Sequence, residues 1–367
     1  MSADAAGRGA RKDDHVRLAG QQWEPGAAGP AGGRDAEFDE LEFVHHALTG
    51  VSLERVDLGV ELFGRHLAAP FYINGMTGGT ERTARLNREL AAAAAQTGTA
   101  MACGSMSIAL EDPAAARAFT VIREENPTGL VMANLGAGRS PDDARRAVDM
   151  LGADALQLHV NAVQETVMPE GAPALSEWLA GIEAIVAASE VPVLVKEVGF
   201  GLSPRTLAQL AGIGVEWADV SGRGGTDFLA IENERRPGRD FAYLTGFGQS
   251  APAALLDAAA HRAEFPDLAL LASGGVRSPL DVVRSLALGA RAVGVAGAFL
   301  RAVVSGGAEE LGGLIRAWRR QTAELAALLG AQGPDGLLRT DVLVRGRLRE
   351  YCELRGIDAR AYARRGA

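Results

Sequence analysis

The chain has 367 residues, 47% of them hydrophobic and 5% aromatic, with two cysteines and a formal net charge of −9. That length is normal for an α/β barrel with extensions, and the apolar fraction supports a large aliphatic core. The acidic balance argues against general nucleic-acid binding and against a polybasic membrane patch, yet a local cationic cluster can still take an anionic substrate. Cys103 and Cys352 form no CxxC pair, which argues against a zinc ribbon or dithiol centre and fits a reducing compartment. MSADAAGRGARKDDH carries charges and no apolar signal core, and no apolar run is long enough to span a bilayer. The expectation is a soluble cytoplasmic protein.

In chain order, residues 1–10 read as disordered and Arg11–Ala19 as a short polar or helical piece. Residues 24–36, EPGAAGPAGGRDA, read as a Gly/Pro/Ala linker, so 1–37 forms an N-terminal arm. From Phe38, short apolar runs alternate with helical patterns. The predicted strands are PFYING (70–75), TAMACGS (99–105), GLVMANLG (129–136), ALQLHVN (155–161), PVLVKEVG (192–199), VEWADVSG (215–222), LALLASGG (268–275) and AVGVAGAFL (292–300). Helical patterns fall at 81–98, 140–152 and 278–289. Ser140 and Ser278, each before a proline, give the last two their capping signals. Eight β-then-α units predict a TIM barrel over 38–307, with a C-terminal helical extension over 308–367. A doubly wound sheet is the alternative, but no GxGxxG opens the first unit.

In a barrel the chemistry sits at the C-terminal ends of the strands. Polar and glycine residues gather at those predicted ends, while the strand starts stay apolar. At the fifth end stands Lys196, closing the buried run VPVLVK. It either pairs with Glu197 or another carboxylate, reaches solvent, or faces an anion in a site. SGGVRSP and AGAFL follow strands seven and eight, the usual phosphate position of a barrel; Gly274 and Gly275 let backbone approach an anion. A phosphate there with Lys196 on strand five points to FMN, because reduced flavin carries negative charge that a desolvated ammonium stabilises. Thr77, Ser105 and Asn134 are placed to bond the ring edge and ribityl chain. In FMN barrels that oxidise 2-hydroxy acids the sixth loop resembles SNHGGR, with histidine as proton acceptor. Here it is SGRGGT, and Arg223 cannot act as a base. Cys103 reads as a packed small hydrophobe.

A second cluster lies at the fourth strand end, LQLHVNAVQE. His159 and Asn161 share one strand face, and Gln164 and Glu165 follow. Glu165 suits Mg²⁺, a hard cation that takes carboxylate and phosphate oxygens. Arg11 and Lys12 of RKDDH, folded over the mouth, would meet a polyanion; an isolated charged tail of this kind is otherwise a solvated run. A diphosphate with Mg²⁺ fits the set.

Together RKDDH, INGMTGG, QLHVN–VQE, PVLVKEVGFG, DVSGRGGTDF–IEN and ASGGVR–LALGA, from about Arg11 to Leu300, resemble the type 2 isopentenyl-diphosphate isomerase family. The resemblance implies a redox-neutral interconversion of isopentenyl and dimethylallyl diphosphate on FMN that is kept reduced, commonly by NADPH, with Mg²⁺ required and proton exchange through the flavin N5. It further implies that Met76, Thr77, Gly78, Ser105, Asn134, Lys196, Ser221, Thr226, Gly274, Gly275, Arg277, Ala296 and Gly297 bind FMN. Arg11, Lys12, His159, Asn161 and Gln164 would face the substrate, and Glu165 would hold Mg²⁺. Gln164, His159 and Lys196 are the catalytic candidates, and Glu232 is placed near the flavin ring. The implied partner is a small isoprenoid diphosphate, with neither nucleic acid nor membrane, in a homotetramer or homo-octamer.

Two positions depart from the family pattern. Many members read GSQR after the second strand, where the arginine meets diphosphate; here GSMS places Met106 and Ser107, so another cation such as Arg223 or an arm residue is needed. Gly75 stands where alanine is common, a minor change at this level. An FMN-dependent dehydrogenase and a non-catalytic flavin-binding barrel are the competing readings.

Overall fold

The computed structural model describes residues 15, 17–19, 21–22, 36–171 and 174–366. Twelve strands are labelled in chain order: β1 (Leu41–Phe43), β2 (Val60–Leu62), β3 (Arg65–Leu67), β4 (Phe71–Ile73), β5 (Met101–Ala102), β6 (Val131–Gly136), β7 (Ala155–Val160), β8 (Val193–Glu197), β9 (Trp217–Asp219), β10 (Ala269–Ser273), β11 (Val293–Val295) and β12 (Val342–Val344). Strands β4 to β11 close a parallel barrel in sequence order, each at one of the eight predicted runs.

Alternation along these strands divides the barrel into two floors. Tyr72, Met132, Leu194 and Leu271 fill the lower floor, and the β2–β3 hairpin plugs it with Leu62, Phe63 and Leu67. Phe63 meets Trp217 edge to face, with ring centroids 4.8 Å apart. Each such fully buried side chain contributes about 1.5–3 kcal/mol from burial alone. Two residues further along those four strands the inward positions become Asn74, Asn134, Lys196 and Ser273, and β7 and β9 add His159 and Asp219. A dry lower floor thus supports a polar upper one.

The helices Glu81–Thr97 and Pro141–Leu151 begin where the sequence signals predict. Ser140 Oγ accepts from Asp143 N at 3.2 Å. Ser278 makes no such cap bond, although Pro279–Ala287 is helical. Asp281 in its first turn accepts from the Arg277 backbone N–H at 3.0 Å instead.

One predicted strand is too long. AVGVAGAFL is strand only at Val293–Val295, and a helix starts at Gly297. An unbroken apolar run suits either element, and packing decides between them. Phe299 lies against Phe71 and Trp318, with centroids 6.1 and 5.2 Å away, which needs helical spacing. This helix, Gly297–Leu328, kinks at Gly306 and Gly307, beside the 307–308 division, and packs on Glu81–Thr97. The C-terminal extension is helical apart from β12, which pairs antiparallel with β1 (Leu41 opposite Val344) and ties the two ends of the described core together.

Candidate active site

A cavity of about 900 Å³ opens at the C-terminal mouth of the barrel. Twelve of the thirteen positions named for FMN line it: Met76, Thr77, Gly78, Ser105, Asn134, Lys196, Ser221, Thr226, Gly274, Gly275, Ala296 and Gly297. His159, Asn161, Gln164 and Glu165 line the same cavity, and so does His15 of the RKDDH motif. Arg11 and Lys12 lie outside the described residues.

The exception is Arg277. It follows the phosphate-type loop, but its guanidinium is engaged by Asp39 through Nη1 and Nη2, both at 2.8 Å, and by Asp281 at 2.9 Å through Nε. These charges push its pKa further up and draw the side chain off the cavity wall. Arg223 is also turned away. It pairs with buried Glu37 and does not line the cavity, so it is not the missing diphosphate cation.

Lys196 is buried and its Nζ donates to the Glu197 backbone carbonyl at 2.8 Å. The counter-charge that sequence reading overlooked is Asp219, its register neighbour on β9. Asp219 accepts from Tyr72 Oη, Ser273 Oγ and the Ser221 N–H, each at 3.0 Å. Burial lowers the Lys196 pKa, and the nearby Asp219 and Glu197 charges offset only part of that. Burial likewise raises Asp219, against Lys196 and its three donors. An acid inside the apolar run VEWADV was the available signal.

Glu197 points to the other face of β8, where its carboxylate accepts from Phe200 N at 2.5 Å and Gly201 N at 3.2 Å. Burial still pushes it from 4.5 up to about 8, against those bonds and the Lys196 charge. A folded-state pKa above the unfolded one means stability that is complete below about 4.5 and lost as pH rises through about 8. Glu197→Gln removes that titration. Thermal unfolding of both proteins from pH 5 to 8.5 should therefore show the variant gaining on the parent as pH rises. A gain of about 1 kcal/mol would appear as roughly 2–4 °C in Tm. A pH-independent difference would contradict the assignment.

At the fourth strand end the side chains orient one another. Asn134 Nδ2 donates to Gln157 Oε1 at 2.9 Å, so Asn134 Oδ1 faces His159 Nδ1 at 2.8 Å and takes its hydrogen. A Cβ on Gly136 would lie 3.3 Å from His159 Nε2, so the strand end there leaves room for the imidazole. Asn161 Nδ2 donates to Gln164 Oε1 at 3.2 Å and to Glu165 Oε1 at 3.1 Å. Gln164 Nε2 donates to Glu232 Oε1 at 2.9 Å.

Glu232, expected near the flavin ring, does not line the cavity. It is a buried hub behind Gln164, with His15 Nε2 at 2.9 Å and Arg235 Nη1 at 2.5 Å. Burial opposes its ionisation, but His15, Gln164 and Arg235 together hold it at about 2. Arg235 and Arg139 also line the cavity, and neither was singled out from the sequence. Nothing in their local patterns separates them from other surface arginines.

The glycines fit a phosphate cradle. Gly274 and Gly275 have φ of 92° and 73°, and a Cβ on Gly274 would collide with the Gly222 carbonyl. Their backbone is thus open toward the cavity without side chains in the way. Among the described residues, Ser221, at φ 39°, is the one non-glycine lining residue with positive φ. Gly75 is less idle than the sequence suggested, since a Cβ there would meet the Cys103 carbonyl.

A model of the FMN-dependent dehydrogenase family matches residues 32–124 and 117–343. The chain is 53% identical to an isopentenyl-diphosphate delta-isomerase of Kitasatospora griseola, over 97% of this chain and 95% of that one. It is 50% identical to that of Streptomyces sp. (strain CL190), with the same coverage. The chain belongs to the isopentenyl-diphosphate delta-isomerase family. A more distant member of that family, from Latilactobacillus sakei, is 44% identical over 95% of this chain and 97% of its own. Solved structures of a mandelate oxidase and a flavocytochrome b2 share the fold. Each has a TM-score of 0.66 at 20% identity, over 94% and 88% of this chain and 98% and 81% of theirs. Family membership and the barrel agree with the sequence reading. No helix among the described residues is long and apolar enough to cross a membrane.

Proposed function

We propose that the chain interconverts isopentenyl diphosphate and dimethylallyl diphosphate, using FMN kept reduced by NADPH and Mg²⁺ on the diphosphate. The observation that carries this reading is the content of one cavity. Lys196 and the glycine cradle share it with His159, Asn161, Gln164 and Glu165, while Arg223, at the position of the oxidase base, is drawn off onto Glu37. That combination favours an isomerase over a 2-hydroxy-acid dehydrogenase, which needs a base at that loop.

The residues present fit the cofactor. The cavity is near the top of the roughly 300–1,000 Å³ range of ligand pockets, enough for a cofactor and a second molecule. Gly274, Gly275 and Gly297 would take the phosphate, Asn134 and Thr77 the ring edge, and Lys196 the anionic side of the ring. Reduced FMN, when bound, supplies acid–base chemistry at N5, so no protein base is needed on the sixth loop. Lys196 would supply positive charge to the bound cofactor, and the Asp219 charge opposes the loss of its proton on burial. Gln164 is locked by Asn161 and Glu232 into one amide orientation over the substrate. His159, through its Asn134 bond, presents Nε2 toward the substrate.

Among the described residues no three metal-binding side chains cluster. Mg²⁺ is commonly held by one or two carboxylates plus substrate phosphates, so Glu165 alone suffices on the protein side. We read the assembly as a homotetramer or homo-octamer, which light scattering would test.

The decisive assay is anaerobic, with FMN, NADPH, Mg²⁺ and isopentenyl diphosphate. Many dimethylallyl diphosphate molecules per NADPH are expected. Stoichiometric NADPH loss would indicate a dehydrogenase, and FMN binding without product a non-catalytic barrel.

A further inference from the structure

The cavity contains a cation that no role above uses. Lys196 lies beside Asp219 in the polar upper level of the barrel, and Arg235 is spent between Glu232 and Glu170, both at 2.5 Å. Arg139 is differently placed. It follows β6 in the turn Gly136–Arg139 and lines the cavity between the β5 and β7 ends. A guanidinium has five N–H donors. Among the described residues Arg139 gives one side-chain hydrogen bond, Nη2 to Glu111 Oε1 at 2.7 Å, with Asp143 3.9 Å from Nη1.

Glu111 ends the short helix that Ser107 begins, so the element that holds Arg139 also carries a cavity hydroxyl. Ser105 Oγ donates to Ser107 Oγ at 3.2 Å, and both serines line the same wall. Ser107 Oγ is the acceptor there, so it retains its own hydroxyl hydrogen for a ligand. A guanidinium and two hydroxyls on adjacent strand ends, next to His159 and Asn161, form a donor-rich recess. The carboxylates Glu165 and Glu170 also line the cavity, so an incoming polyanion needs local positive charge there.

We propose that Arg139, together with Ser105 and Ser107, binds the diphosphate end of the substrate and sets the site's preference for a dianionic or more highly charged ligand. The proposal rests on the isomerase reading for its substrate, but its binding test does not. Arg139 meets the phosphate oxygens through the guanidinium donors that Glu111 leaves over, and Glu111 fixes the side chain at the cavity wall. No proton or electron is transferred by it; its contribution is to binding.

The test uses the full-length, FMN-loaded protein with Mg²⁺, comparing the parent with Arg139→Gln, Arg139→Lys and Ser107→Ala. Titration with inorganic pyrophosphate reads the recess directly, whether or not the protein turns over. Arg139→Gln should weaken pyrophosphate binding about 10- to 100-fold, the size of losing a charge-assisted hydrogen bond of roughly 1.5–3 kcal/mol. The KM for isopentenyl diphosphate should rise in parallel, with kcat changed only several-fold and FMN affinity unchanged. Arg139→Lys should recover part of the loss, since charge persists while fork geometry does not. Pyrophosphate affinity unchanged in Arg139→Gln would overturn the proposal. So would loss of FMN affinity in that variant, which would assign Arg139 to the cofactor. If the parent binds pyrophosphate through Arg139 but makes no dimethylallyl diphosphate, the isomerase reading fails and this one stands.

Discussion

Lys196→Met should abolish nearly all turnover while leaving the barrel folded. The ammonium is buried, its Nζ donating to the Glu197 carbonyl beside its register neighbour Asp219, and Asp219 is itself fixed by Tyr72, Ser273 and the Ser221 N–H. A preorganised charge of this kind does its work without reorganising during the reaction, and removing one such group typically costs about 10²–10³ in kcat. Methionine keeps the volume, and the orphaned Asp219 can take up a proton, so circular dichroism should be unchanged. The potential of bound flavin should fall, because the anionic reduced form loses its neighbouring cation. A variant within a few-fold of the parent in kcat would refute the role given to Lys196. Asp219→Asn provides the matching control. Burial already lowers the Lys196 pKa and Asp219 opposes that shift. Without Asp219 the ammonium deprotonates at lower pH, so the alkaline limb of the rate profile should move toward neutrality. Glu197, on the other face of β8, is the second carboxylate whose charge raises the Lys196 pKa, and combining this change with Glu197→Gln should move the limb further.

Glu232→Gln should produce the largest loss of stability. Its carboxylate joins the arm through His15, the fourth strand end through Gln164 and its own helix through Arg235. Removing one partner of a buried charge network costs about 3–5 kcal/mol; Glu170 still shares Arg235, which favours the lower end. The folded pKa of Glu232 is depressed from 4.5 to about 2. Its stabilisation is therefore present above about 4.5 and is lost as pH falls through about 2. Urea unfolding should show a deficit in the variant at pH 7 that shrinks below pH 4.5. Turnover should fall as well, because Gln164 loses the acceptor that orients its amide. Equal stability at pH 7 would show that the hub is not a structural anchor.

The contrast between Arg277 and Arg139 shows how far local sequence carries. Arg277 sits in ASGGVR, a loop with a strong phosphate signature, yet two aspartates from outside that loop claim its guanidinium. One of them, Asp39, is more than two hundred residues away along the chain. Arg139 has no signature and still lines the cavity, because closure of the barrel places the third strand end between the second and fourth. Position along the chain makes Arg223 a candidate replacement cation, and Glu37 draws it away.

The sequence by itself determined the eight-strand alternation, the cavity-facing strand ends and the grouping of Lys196 with QLHVN–VQE. Those features are local: apolar runs, period-two faces, and glycine where backbone must turn tightly. Tertiary structure alone decided the partners of the charges. Asp219 beside Lys196, Glu232 behind Gln164, and Asp39 and Glu37 on the two withdrawn arginines all come from other elements. The end of the eighth strand was decided in the same way, by packing of Phe299 on Trp318. A buried charge must find its counterpart wherever the closed fold brings one, and the spacing of residues along a single segment carries no record of that choice.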